Sequence, residues 1–175
     1  VMAVDIDDDC RRVYASTWPS MDPGRIHSDI RHLTQRADGT DRSSEELNEL
    51  VPDHEVLCAG FPCQPFSKSG AQLGVLDSTR GTLFFDIMKV VEAKKPQFLI
   101  LENVRNLAGP RHTDTWQTIV TALRYNGYRV SDTPVVFSPH LLSPELGGTP
   151  QSRDRVFILA ARAESLDLTS NPLLE

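Results

Sequence analysis

Apolar residues along the chain fall into two alternating kinds of segment. Short, nearly unbroken runs read as strands: VMAVDI from residue 1, RIHSDI from 25, EVLCAG from 55, QFLILEN from 97, TPVVFS from 133 and RVFILAA from 155. Between them stand stretches with helical spacing. DDDCRRVYASTW sets Asp residues over the positive end of a helix that Pro19 stops. Ser43 and Glu46 have capping-box spacing for a helix over SEELNELV, closed by Pro52. GTLFFDIMKVVEAKK aligns Leu83, Phe84, Ile87, Met88 and Val91 on one face, and TDTWQTIVTALRYNGY aligns Trp116, Ile119, Val120 and Leu123, with Gly127 as its C-cap.

Unbroken apolar strands alternating with amphipathic helices mean βαβ units, hence an α/β chain with a mostly parallel sheet and helices on both faces. The last two runs are joined by the Pro/Gly-rich PHLLSPELGGTPQSR, which has no helical pattern. The final strand is therefore expected to run antiparallel to its predecessor. At 175 residues the chain suits one domain.

Composition narrows this picture. No stretch approaches the roughly 20 apolar residues of a membrane span, and the start lacks a signal-peptide pattern, so an intracellular protein is expected, in cytoplasm or nucleoid if bacterial. The three cysteines, Cys10, Cys58 and Cys63, cannot all pair and have no finger-like spacing, so free thiols and no metal site are expected. A net charge of −6 argues against gripping nucleic acid by bulk charge, without excluding a local basic cleft. Both ends read as cut from something longer: the chain opens inside an apolar run and closes on the unpatterned ESLDLTSNPLLE.

Ligands of open α/β sheets bind beyond the carboxyl ends of the strands. Those ends carry Asp5, then Pro62 and Cys63, then Glu102 and Asn103. Cys63 lies between Pro62 and Gln64-Pro65, where neither ladder nor helix easily absorbs the backbone, so its thiol is displayed on a constrained loop. Cys58, inside its apolar run, reads as a buried core residue. A nucleophilic thiol needs a positive neighbour or a base, and Arg153 or Arg155 can supply charge through space. Glu102 closes FLIL, a setting that favours a protonated acid, although a strand-end Glu also serves as a solvated terminus. Asp5 suits a carboxylate on a ribose, but Asp7, Asp8 and Asp9 equally suit a plain helix start. Arg153 and Arg155 alternate as in a strand, projecting to one face to bind carboxylate or phosphate, or to deter edge aggregation.

GFPCQPFSKSG, RGTLFFDI, LENVRNL and PQSRDRVFILA occur in this order, and with them the chain resembles the C5-cytosine-specific DNA methyltransferase family from residue 1 to about 160. The resemblance implies a Rossmann-like S-adenosylmethionine-dependent methyltransferase fold whose substrate is a cytosine flipped from double-stranded DNA. It implies that Cys63 attacks C6, that Glu102 bonds and protonates N3, and that Arg153 and Arg155 hold the base and the catalytic residues. Asp5, Ile6, Asp29, Ile30, Pro62 and Leu83 would then hold S-adenosylmethionine. Pro62, Gln64, Ser67, Ser69, Asn103, Val104 and Gln151 would face the DNA, with SKSGAQLGVLDSTRG as a closing lid. The family's Gly-rich cofactor loop is absent before residue 1, and its target-recognition region is absent after the short extension 161–175. The isolated chain is therefore expected to bind cofactor and DNA poorly. Methylation of transfer RNA, or a catalytically silent binding module, are the alternatives this resemblance leaves.

Overall fold

The computed structural model describes residues 1–62 and 83–163. These residues fall into two compact units, residues 1–54 with 83–95 and residues 55–62 with 96–163.

The first unit opens with β1 (Ala3–Val4), whose carboxyl end leads into α1 (Asp8–Thr17). Asp7 caps that helix, its side chain accepting the N–H groups of Asp9 and Cys10, as the acidic run predicts. β2 (Ile26–His27) pairs parallel with β1. The chain continues through the single turn α2 (Arg31–Thr34), α3 (Ser44–Leu50) and α4 (Leu83–Lys94). The capping box at Ser43 and Glu46 is present in full. Leu33, Leu47, Val51, Phe84, Ile87, Met88 and Val91 are all buried, so the face expected of α4 is inward apart from half-buried Leu83.

Two polar residues, Thr34 and Asp86, lie among them. Asp86 is only 2% exposed, and it accepts hydrogen bonds from Thr34 Oγ1 at 2.9 Å and Lys89 Nζ at 3.0 Å. Lys89 also reaches Asp41 at 2.7 Å. Desolvation alone would lower the Lys89 pKa, but its bonds to Asp41 and Asp86 outweigh that and hold it above the ordinary value. A buried carboxylate is tolerated here because each charge has a partner.

The second unit is built on a sheet of β3 (Val56–Gly60), β4 (Phe98–Val104), β5 (Tyr128–Val130), β6 (Val135–Phe137) and β7 (Arg155–Arg162), with α5 (Thr113–Tyr125) as its α-helix. β3 and β4 pair in parallel, while β7 runs antiparallel to β4, β5 and β6. The antiparallel final strand is thus where the helix-free connection requires it. β5, the segment YRV directly after α5, is a strand the sequence pattern does not single out; it is too short to show a period.

Period-two alternation sorts β4 and β7 into two faces. Leu99, Leu101 and Asn103 on β4, with Val156, Ile158 and Ala160 on β7, are buried. So are Trp116, Ile119, Val120 and Leu123, the expected face of α5. Tyr128 joins this core, its hydroxyl donating to the Pro96 carbonyl at 2.5 Å, and burial pushes its pKa up to about 12. The opposite face displays Val56, Phe98, Ile100 and Leu159, all exposed.

Cys58 belongs to that open face, paired with Ile100 across the β3–β4 ladder, and is exposed. This corrects its expected place in the core and the reading of EVLCAG as buried throughout. An apolar run shows that a strand can be covered on both sides, but β3 ends its ladder and only alternate residues turn inward.

The two faces should respond differently to truncation. Leu101→Ala empties a site with 0% exposure and is expected to cost about 2–5 kcal/mol in urea unfolding. Leu159→Ala, at 57% exposure on the open face, should stay within about 0.5 kcal/mol.

Candidate active site

At the carboxyl end of β4 two adjacent residues point to opposite faces. Glu102 emerges half-exposed on the open face and Asn103, 1% exposed, points into the core. Glu102 stands opposite Phe157 in the β4–β7 register, and Arg155 lies diagonally across, two residues earlier on β7. That diagonal is within reach of long side chains, and Arg155 Nε meets Glu102 Oε1 at 2.7 Å. The surroundings of Glu102 are therefore half-open and ionic, not the dry pocket suggested by FLIL.

Gly60 faces Glu102 from the other side, in register on β3. A methyl group at Gly60 would stand 3.3 Å from Glu102 Oε2 and crowd the carboxylate. Glycine at this strand end thus leaves room for the acid, a role for which the sequence carries no signal beyond the residue type.

Asn103 is placed by the structure as a support. Its Nδ2 donates to the Phe61 carbonyl at 2.9 Å and its Oδ1 accepts the Val104 N–H at 2.8 Å. Both interactions act on backbone, so its amide fixes the segment leading through exposed Pro62. Asn103 is 1% exposed, and both ends of its amide are committed to backbone. Val104 and Gln151 are exposed. Cys63, Gln64, Ser67 and Ser69 lie outside the described residues.

The two arginines do not share a strand face. β7 begins at Arg155; Arg153 precedes it in the loop and is exposed. The alternation read from Arg-x-Arg does not extend to Arg153 because no ladder pairs it. Instead its N–H donates to Ser138 Oγ at 2.9 Å. Asp154, between them, pairs with Arg105 Nη1 at 2.5 Å. The two glycines of ELGGTPQ are demanded by the turn before this segment. Gly147 has φ 82°, and a side chain on Gly148 would lie 2.0 Å from the Leu142 carbonyl oxygen.

Of the residues expected to hold a cofactor, Asp5, Ile6, Asp29 and Ile30 follow the carboxyl ends of the first unit's parallel strands, Leu83 opens α4, and Pro62 lies in the second unit. Asp5 is exposed, its N–H bonded to the His27 carbonyl at 3.1 Å and its Oδ1 accepting from the Asp7 N–H at 2.8 Å. Ile6 is 76% exposed beside it. Asp29, its side chain 15% exposed, accepts from the backbone N–H of Arg31 and, in a fork, from Arg31 Nε and Nη2. The hydrogen bonds from the Arg31 side chain hold the Asp29 carboxyl below its ordinary pKa. Ile30 and Leu83 are half-buried. A cavity of about 400 Å³ beside α1, lined by Tyr14, Trp18, Met21 and Arg25 among others, shares no residue with this set.

Cys10 offers a contrast to Cys63. It is exposed on α1, but Asp7, with smaller contributions from Asp5 and Asp9, pushes its thiol pKa upward, away from nucleophilic use. Among the described residues no group of His, Cys, Asp and Glu is arranged to hold a metal ion, and no helix is long and apolar enough to cross a membrane.

The order of strands, the antiparallel β7 and the acid at the end of β4 define an α/β fold of the Rossmann-like methyltransferase class. Among solved structures, DNMT2 of Spodoptera frugiperda superposes over 100% of this chain and 45% of its own length, with a TM-score of 0.58 at 22% identity. The sequence profile of the C-5 cytosine-specific DNA methylase family matches residues 1–173, and the chain belongs to that family. The type II methyltransferase M.AluI of Cellulosimicrobium cellulans is 49% identical over 158 residues, 90% of this chain and 28% of that protein. The type II methyltransferase M.NlaX of Neisseria lactamica is 43% identical over 117 residues, 67% of this chain and 35% of its own length. The chain thus spans about a third or less of these curated relatives.

The Asp154 carboxyl is held below the usual range, chiefly by its hydrogen bond from Arg105 and then by Ser138. A depressed carboxyl contributes stability that is present above its unfolded value of about 3.9 and is lost as pH falls through the lower folded value. A carboxyl-carbon NMR titration should therefore find Asp154 with its midpoint below about 3.9. Arg105→Ala should move the midpoint upward.

Proposed function

We propose that the protein carrying this chain transfers a methyl group from S-adenosylmethionine to C5 of a cytosine extruded from double-stranded DNA. The observation that carries this reading is the pairing of Glu102 with Arg155 at the end of β4, beside the Asn103-anchored backbone that runs into Pro62 and so into Cys63.

The Cys63 thiolate adds to C6 of the cytosine, and Glu102 hydrogen-bonds the Watson–Crick edge at N3 and delivers a proton there. Addition at C6 with protonation at N3 places electron density on C5, which a neutral aromatic ring would not offer. Arg155, already bonded to one oxygen of Glu102, orients the acid so that its other oxygen is available to the base. Arg153 stands at the mouth of the same strand end. S-adenosylmethionine supplies an electrophilic methyl that C5 takes up. A water takes the C5 proton, the Cys63 sulfur leaves C6 as thiolate, and the N3 proton returns to Glu102, which restores the ring and both catalytic groups.

The first unit suits the cofactor chemically. Asp5 stands where a ribose hydroxyl can donate to it. Arg31 gives Asp29 four hydrogen bonds, two to each oxygen, which hold its carboxylate in one orientation beside the strand end. Ile6, Ile30 and Leu83 add apolar surface. Relatives named as type II methyltransferases support a place beside a restriction activity.

Full-length protein incubated with S-adenosylmethionine and DNA containing 5-fluorocytosine should form a covalent adduct, because fluorine at C5 cannot leave as a proton does. Cys63→Ser should form none. Equal trapping by that variant refutes the role given to Cys63, and trapping on transfer RNA in preference to DNA refutes the substrate.

A further inference from the structure

Ser138 closes the strand β6 and is 1% exposed. Its hydroxyl is engaged on two sides. It accepts the Arg153 N–H at 2.9 Å and lies 2.8 Å from His140 Nδ1. A serine hydroxyl has one proton to give and two lone pairs to fill. Arg153 fills one lone pair, and His140 either fills the second by donating from Nδ1 or takes the hydroxyl proton there.

The position matters as much as the count. In the β6–β7 ladder Phe137 stands opposite Arg155, so the residue that follows Phe137 lies beside the segment entering β7. Ser138 grips that segment at Arg153, and the next residue, Asp154, is tied to Arg105, directly after the β4 strand that bears Glu102. Both ends of the loop carrying the arginines are therefore pinned to one buried oxygen and one ion pair. β7 by itself fixes Arg155 through its ladder but leaves Arg153 with no strand partner.

We infer that Ser138 is the positioning residue for the arginine segment: its buried hydroxyl holds the backbone at Arg153, and so sets how the chain enters β7 and presents Arg155 to Glu102. This rests on the proposed roles of Arg153 and Arg155 in methyl transfer. Ser138 bonds Arg153 and His140 and none of the residues expected to hold the cofactor, so its loss acts on the chemical step and spares cofactor binding.

The test is steady-state kinetics of full-length protein with S-adenosylmethionine and DNA, with thermal melting of each variant alongside. Ser138→Ala should lower kcat by up to about a hundredfold, the scale of a small misplacement in an active site, with little change in the KM for S-adenosylmethionine or in the melting temperature. Ser138→Thr retains the hydroxyl and should keep most of the activity. Ser138→Cys, nearly isosteric but a weak hydrogen-bonding group, should fold like the parent and resemble Ser138→Ala in kcat. Unchanged kcat in Ser138→Ala and Ser138→Cys, while Arg153→Ala and Arg155→Lys are impaired, overturns the positioning role alone. Parallel loss of melting temperature, kcat and cofactor KM in the Ala and Cys variants also overturns it, since that marks general unfolding. Full activity in the two arginine variants refutes the methyl-transfer roles of the arginines, and the inference with them.

Discussion

The antiparallel ladder between β4 and β7 is the constraint on which the second unit depends. It runs from Phe98 opposite Ala161 to Val104 opposite Arg155, and among the described residues no other strand pair in the unit is as long. Its register does two things at once. It aligns Leu99 and Leu101 with Ala160 and Ile158, building the buried face, and it sets Arg155 diagonally from Glu102 on the other. A slip of one residue would exchange the faces, sending Glu102 inward and exposing Leu101. The hydrophobic drive that fixes the fold therefore also fixes the distance between acid and guanidinium, without any interaction dedicated to that purpose.

Much of this was legible in the residues. The amphipathic spacing of α4 and α5, the capping box at Ser43 and the reversed final strand follow from local patterns, and local patterns are what short-range physics writes into a sequence. Where pattern and structure part, the cause is tertiary. Cys58 sits in an apolar run yet is exposed, because burial depends on what covers β3 and not on its own composition. Arg153 and Arg155 have strand spacing, but β7 starts only at Arg155, since pairing and not spacing makes a strand. Ser138 and Gly60 were invisible for a related reason. A serine after VVF and a glycine after LCA look ordinary until the register shows Arg153 against one and Glu102 against the other.

Each of the two units carries acids at the ends of its strands. The first holds carboxylates at the ends of two short parallel strands, one of them braced by an arginine fork. The second holds a carboxylate and an arginine at the end of one long ladder. Neither arrangement relies on bulk charge, which is consistent with a chain whose formal net charge is −6. Each acid is instead given its character locally: Asp29 by the fork of Arg31, Asp154 by Arg105 and Ser138.

The adjacency of Glu102 and Asn103 shows how little sequence such an arrangement needs. Successive strand residues point to opposite faces, so two neighbours can serve two surfaces with no turn between them. Glu102 is turned to the open face, where a base can approach; Asn103 is buried, where its amide can meet the backbone of Phe61 without competition from water. Exchanging their order would bury an acid against Leu99 and Leu101 and leave the Phe61 carbonyl without the Asn103 amide. The pair has to read Glu-Asn and not Asn-Glu, because the ladder has already decided which face is wet.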